Sequence, residues 1–247
     1  MVIVLLILGC IVAGTGLLAL AEGLLARAGP THTYTNPAKN PTILGVACAP
    51  MLNYIVLGDS TAAGQGGAYE LGIAVSSARH LTASRRVSLT NVAVSGAKTH
   101  DVLTQQLPKL AGQKPDIVLV AIGANDVIGL TSAGSVRTDL NQLIDGLQAL
   151  NPNIKIVLTA APEMGAPPRL LQPLGWLAGL RARQLNRTFD EVIAARRLTL
   201  APILIATGQA FKHDATLFAA DKFHPNDRGY ALWTATINPA LDQALAS

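Results

Sequence analysis

Hydrophobic and polar positions divide the chain into three regimes. From Val2 to Ala21 no residue is charged, and Thr15 is the one clearly polar side chain. A helix of that length would be about 30 Å long, the thickness of a bilayer's hydrocarbon core. A buried core helix would show some polar face over five turns. Residues 2–21 are therefore expected to insert into a membrane. Residues 29–50, GPTHTYTNPAKNPTILGVACAP, carry four prolines among Thr and Asn and read as a linker. From residue 51 onward, short aliphatic runs alternate with stretches of helical period.

Five runs read as strands: residues 52–57, 87–92, 116–122, 154–159 and 198–203. DIVLVAIG and IKIVLTA are nearly unbroken apolar runs, as in parallel strands covered on both faces. Between the strands, Leu140, Leu143, Ile144 and Leu147 fall at i, i+3, i+4 and i+7 within residues 136–150. In residues 174–197, Leu185, Phe189, Val192 and Ile193 share one side while Arg183 and Arg187 point away, as on a solvated face. A last helix is expected over 227–245. The alternation predicts an α/β fold on a five-stranded parallel sheet over residues 51–247, preceded by the linker 29–50 and the apolar membrane segment 1–28.

Composition narrows the function classes. Half of the 247 residues are hydrophobic and 14% are charged, which excludes a disordered chain. The formal charge is +4 with no Lys/Arg-rich run, so no nucleic-acid partner is expected. Cys10 and Cys48 form neither a disulfide framework nor a zinc site, and no metal or cofactor is expected. Ala19-Leu20-Ala21 and Ala26-Arg27-Ala28 are small-x-small cleavage patterns. No Lys or Arg precedes the apolar run, however, so the n-region of a cleaved signal is missing. Arg27 and Lys39 after the span weakly favour a cytoplasmic body, but large domains translocate despite such charges. An uncleaved anchor with an extracytoplasmic body is expected, with secretion after cleavage as the alternative.

Chemistry in an open parallel sheet gathers at the carboxyl ends of its strands. Those ends carry Gly58-Asp59-Ser60, Ser95-Gly96 and Gly123-Ala124-Asn125-Asp126, and the loop before the last helix holds Asp221-Lys222-Phe223-His224-Pro225. The turn LGDSTAAGQGG, residues 57–67, could cradle phosphate, connect two elements, or mount a nucleophile. No G-x-x-x-x-G-K-[ST] occurs, and Gly64-Gln65-Gly66-Gly67 lacks the spacing of a dinucleotide loop. The G-x-S-x-G elbow is also absent. A serine nucleophile needs a base, an acid to orient that base, and donors for the oxyanion. Ser60, His224 and Asp221 can fill the first three roles. The N–H groups of Ser60 and Gly96 and the amide of Asn125 can supply the donors.

Each residue also has a plainer reading. Ser60 could cap the helix that follows, while Asp59 and Asp126 read as acceptors that tie down their turns. His32, His80, His100 and His213 have no neighbouring acid at a useful spacing. Asn186-Arg187-Thr188 matches a glycosylation sequon but falls mid-helix.

Taken in order, these blocks resemble the SGNH/GDSL hydrolases. Gly58-Asp59-Ser60 is similar to the first block with its nucleophilic serine, and Gly96 in NVAVSGA to the second. Gly123-x-Asn125-Asp126 is similar to the third and Asp221-x-x-His224 to the last. Thr61 stands where the family name expects leucine. The resemblance implies a flavodoxin-like three-layer α/β/α fold and metal-free hydrolysis of a small-molecule, lipid or glycan ester. O-acetyl-glycan deacetylation or acyl transfer on the same site is the alternative it leaves open.

Overall fold

The computed structural model describes residues 34–247, together with Gly14 and Gly16. The expected membrane segment, residues 2–21, thus falls outside the described residues apart from those two glycines. Among the described residues no helix is long and apolar enough to cross a membrane.

Thr42–Leu44 (β1), Met51–Gly58 (β2), Arg86–Asn91 (β3), Ile117–Ala121 (β4), Lys155–Leu158 (β5) and Thr199–Leu200 (β6) form one sheet in the order β1-β3-β2-β4-β5-β6. From β2 onward the strands run parallel. β1 pairs antiparallel with β3, Thr42 opposite Leu89. The sheet is therefore mixed and six-stranded, which corrects the expected five parallel strands. The extra strand lies inside the Pro-rich stretch read as a linker. That stretch is tied to the body: Tyr34 donates its hydroxyl to the Ala63 carbonyl at 3.0 Å. Asn36 Nδ2 donates to the carbonyls of Asn91 and Ala93 at 3.2 and 3.1 Å. Asn40 exchanges two hydrogen bonds of 2.8 Å with the Asn91 backbone.

Alternation along the strands sends side chains to two cores. Tyr54, Val56, Leu89, Ile117 and Leu119 face a layer made by Ile73–Leu81 (α1), with Phe211, Tyr230, Trp233 and Ile237 beside it. Ile55, Leu57, Val118 and Val120 face Leu140, Leu143, Leu147, Phe189 and Val192. Every residue of β4 is buried. Each such aliphatic side chain contributes about 1.5–3 kcal/mol by leaving water, which is why β4 is written as an unbroken apolar run.

The remaining helices are Ala124–Ile128 (α2), Ala133–Leu150 (α3), Leu174–Arg196 (α4), Ile203–His213 (α5) and Asp227–Ala246 (α6). The fifth expected strand, 198–203, shrinks to Thr199–Leu200, because Pro202 ends it and α5 begins at Ile203. β2 lies between β3 and β4, where the winding of the chain reverses, with Gly58 opposite Ala121. Such a switch point opens a crevice at the carboxyl ends of the strands.

Candidate active site

The turn after β2 is built on a residue without a side chain. Gly58 has φ +145°, and a Cβ there would sit 2.0 Å from the Ala121 carbonyl oxygen. Only glycine permits both that conformation and that approach. The buried Gln106 braces the same residue. Its Oε1 accepts from Gly58 N–H at 2.9 Å and its Nε2 donates to the Gly58 carbonyl at 2.8 Å. Asp59 follows, buried, its Oδ1 accepting from the Thr61 N–H at 2.9 Å and the Thr61 hydroxyl at 2.7 Å. Burial pushes the Asp59 carboxyl up, against the pull of those hydrogen bonds. It ties down the turn, as the sequence suggested.

Ser60 Oγ then lies 2.8 Å from His224 Nε2, and His224 Nδ1 lies 2.6 Å from Asp221 Oδ2. Ser60 and His224 are both buried. The last pair comes from one turn, in which Asp221 Oδ1 accepts from the N–H groups of Phe223 and His224 at 3.0 Å each. Burial pulls the Asp221 carboxyl upward. The bond from His224, the two N–H groups and the imidazole's charge together outweigh that pull and hold it at about 2. An ionised acceptor at Nδ1 fixes the tautomer that leaves Nε2 free to take a proton from Ser60.

Of the other oxyanion candidates, Asn125 lines one cleft with Ser60 and His224, while Gly96 is exposed and is linked to that group through its neighbours. Asn125 Nδ2 donates to the Ala97 carbonyl at 3.0 Å, which orients the amide and leaves its second hydrogen free. Ala97 follows Gly96, so the two blocks are tied together. The Gly96 turn is also tied to the turn bearing Ser60, through Ser95 Oγ donating to Gln65 Oε1 at 2.7 Å. Among the described residues neither the Ser60 nor the Gly96 N–H has an acceptor, as an oxyanion site requires. Asp126, read as a structural acceptor, takes bonds from the Thr99 N–H at 3.0 Å and the Thr99 hydroxyl at 2.9 Å. Gly123, φ +126°, lets the third block pack against Ala161: a Cβ there would lie 2.8 Å from the Ala161 nitrogen. Asn186 in turn clamps Ala161, accepting from its N–H at 3.0 Å and donating to its carbonyl at 2.8 Å.

Ser60, Asn125 and His224 open on one cleft walled by Pro162, Met164, Phe211, Phe218, Phe223 and Trp233. With its open mouth included, the cleft has about 500 Å³ unfilled by atoms, and its walls are mainly apolar. Glu163 is the one acidic side chain among the residues lining this cleft. Its Oε2 is held by Arg183 at 2.5 Å and Lys212 at 3.2 Å. Sequence reasoning missed Gln106, Asn186 and Glu163, whose partners Gly58, Ala161, Arg183 and Lys212 lie 20 to 49 positions away. It also missed acids near two other histidines. His80 meets Asp242 at 2.9 Å and His100 meets Asp139 at 3.4 Å, both at the surface and away from the cleft. Among the described residues no cluster of His, Cys, Asp and Glu could hold a metal ion.

Comparison with known proteins bears on this geometry. The chain is 28% identical over 199 residues to the GDSL-like esterase Rv1075c of Mycobacterium tuberculosis, an alignment covering 78% of this chain and 63% of that protein. The chain thus spans less than two thirds of that relative. Its fold is similar to the lipase/acylhydrolase from Enterococcus faecalis (TM-score 0.63, 22% identity, 78% of this chain and 96% of that one). It is also similar to the psychrotrophic esterase EstA from Pseudoalteromonas sp., solved with monoethylphosphonate as inhibitor (TM-score 0.61, 20% identity, 79% and 99%). Residues 56–232, from the end of β2 into α6, match one family model over well more than half of the chain, and on that match the chain belongs to the GDSL-like lipase/acylhydrolase family.

Proposed function

We propose that this protein is a serine-dependent carboxylic ester hydrolase that works through an acyl-enzyme on Ser60. The supporting observation is the continuous relay from Ser60 Oγ to His224 to Asp221, at 2.8 and 2.6 Å, beside a free amide hydrogen of Asn125. Ser60 Oγ attacks the ester carbonyl carbon while Nε2 takes its proton. The carbonyl oxygen becomes an oxyanion, met by the N–H groups of Ser60 and Gly96 and by Asn125 Nδ2. The C–O bond to the alcohol breaks as the imidazolium returns the proton to the leaving oxygen. Water, deprotonated by the same nitrogen, then releases the acid and restores Ser60. No metal or cofactor takes part in this scheme. The apolar sequence of residues 2–21 supports a membrane anchor, and an extracytoplasmic body is proposed with it, with secretion after cleavage as the alternative.

The alternative on the same site is removal or transfer of an O-acetyl group on a glycan. A fluorophosphonate probe tests the mechanism. It is expected to label the parent protein at Ser60 and to leave Ser60→Ala unlabelled. Asp221→Asn is expected to lose on the order of 10⁴-fold in kcat. Near-parental turnover by a folded Ser60→Ala protein would refute the scheme. p-Nitrophenyl esters of graded length, set beside acetylated sugars, decide between the two substrate readings.

A further inference from the structure

Helix α4 changes character along its outer face. Its inner side is apolar from end to end, with Ala178, Ala182, Leu185, Phe189 and Val192 buried. Outward, its first two turns present Trp176, Leu177 and Leu180, 59%, 41% and 45% exposed, with Leu171 at 58% just before them. Trp176 and Leu180, four apart, and Leu177 and Leu180, three apart, are neighbours on the helix surface, so the patch is continuous. The same stripe then carries Arg183, Gln184 and Arg187. Two more exposed apolar side chains, Ile128 and Leu130, lie at the end of α2. Arg181 Nη2 donates to the Thr131 carbonyl and joins the two parts.

Charge indicates what fits there. Residues 164–187 hold Arg169, Arg181, Arg183 and Arg187 and not one Asp or Glu. Glu163, just before them, is buried and occupied by Arg183 and Lys212. The acids of α4, Asp190 and Glu191, lie beyond Arg187, and Glu191 is paired with Arg137. Exposed Trp and Leu beside Arg181 and Arg187, in a stretch with no Asp or Glu from 164 to 187, is the composition of a helix lying in an anionic lipid interface. A second copy of the chain would bring two such arginine stripes together, at a repulsive cost.

The patch also borders the cleft. The loop bearing Met164 and Pro167 packs on the first turns of α4, where a Cβ on Gly165 would lie 3.1 Å from the Gly175 carbonyl. Asn125 belongs to α2, the helix that ends at Ile128. We propose that Trp176, Leu177, Leu180 and Leu130, with Arg181 and Arg187, form a docking face for an anionic lipid surface, seating the mouth of the cleft against it. The proposal does not depend on the esterase reading, and its test reads fluorescence instead of turnover.

The full chain has two tryptophans, and Trp233 is only 4% exposed, so acrylamide quenching reports on Trp176. Phosphatidylglycerol vesicles are expected to shift its emission to the blue and to reduce quenching severalfold, and phosphatidylcholine vesicles to do much less. Added salt should weaken the effect. Arg187→Gln should raise the lipid concentration for half-effect about fivefold. The double variant Leu177→Ser, Leu180→Ser should lose the protection while keeping a cooperative thermal melt like the parent's, which shows that it is folded. The proposal is overturned if vesicles hold the chain yet Trp176 stays as quenchable as in buffer, or if neutral and anionic vesicles protect it equally. Protection that grows with protein concentration without lipid would assign the face to a second copy and overturn it too.

Discussion

Two carboxylates of one site, Asp59 and Asp221, are driven in opposite directions by their surroundings. Asp221 shares its charge with an imidazole and two N–H groups, so its contribution to stability is present above the ordinary aspartate value and is lost as pH falls through about 2. Asp59 is buried with its pKa raised, so above the ordinary value of 3.8 the unfolded chain releases this proton before the native one does. Its contribution therefore declines as pH rises, until the native carboxyl has also ionised. Asp59→Asn keeps an acceptor for the Thr61 bonds and removes the charge. In melts at pH 4 and pH 8, the variant is expected to gain on the parent at the higher pH; a constant gap would refute the assignment. Asn125 is tested by kinetics. Asn125→Ala should lower kcat by roughly 10²–10³-fold, about 2.7–4 kcal/mol, with a smaller change in KM. A rise in KM at constant kcat would make Asn125 a substrate contact instead.

Among the elements, those whose formation depends on their own side chains were legible in the sequence. β4 and β5 could be read because burial on both faces demands unbroken apolar runs. α3 could be read because one face repeats Leu and Ile at helical spacing. β1 was not legible: three residues among prolines have no period, and the strand exists because β3 offers an open edge and Asn40 fixes the register. α5 was hidden because Ala201-Pro202-Ile203-Leu204 continues the apolar run of β6 with no polar break. The four site blocks were visible because glycine, serine, histidine and acid occur in short fixed groups. Their braces were not, since a glutamine or asparagine in a helix looks like any surface residue until its partner is known. Gln106 illustrates the cost. Gln106→Met would keep the volume and leave the Gly58 N–H and carbonyl without these partners, each costing about 1–3 kcal/mol when buried. A fall in stability of about 2–6 kcal/mol in denaturant unfolding, with kcat reduced more than KM rises, is expected. An unchanged midpoint would show that the turn holds itself.

At the scale of the whole molecule, the folded body begins earlier than the prolines suggested. Tyr34, Asn36, Asn40 and β1 all bond to the body, so the folded unit reaches back to residue 34. Deleting residues 1–28 should move the protein from the membrane to the soluble fraction and leave kcat on a short soluble ester nearly unchanged. Deleting residues 1–50 should lower the melting temperature and promote aggregation, because it removes β1 and uncovers the β3 edge. Equal stability of the two truncations would return residues 34–44 to the role of a linker.

Because β1 runs against its neighbours, the chain that leads into it arrives at the carboxyl edge of the sheet. Tyr34 is fastened to Ala63, three positions beyond Ser60. If residues 2–21 hold a bilayer, as proposed, an enzyme leashed at that corner could not turn its mouth far from its own mooring. Residues 22–33 can span at most about 40 Å. Tied to a bilayer by such a leash, the protein would graze the patch of membrane beneath it. Its turnover would follow how fast esters diffuse in that plane, and their bulk concentration would matter far less.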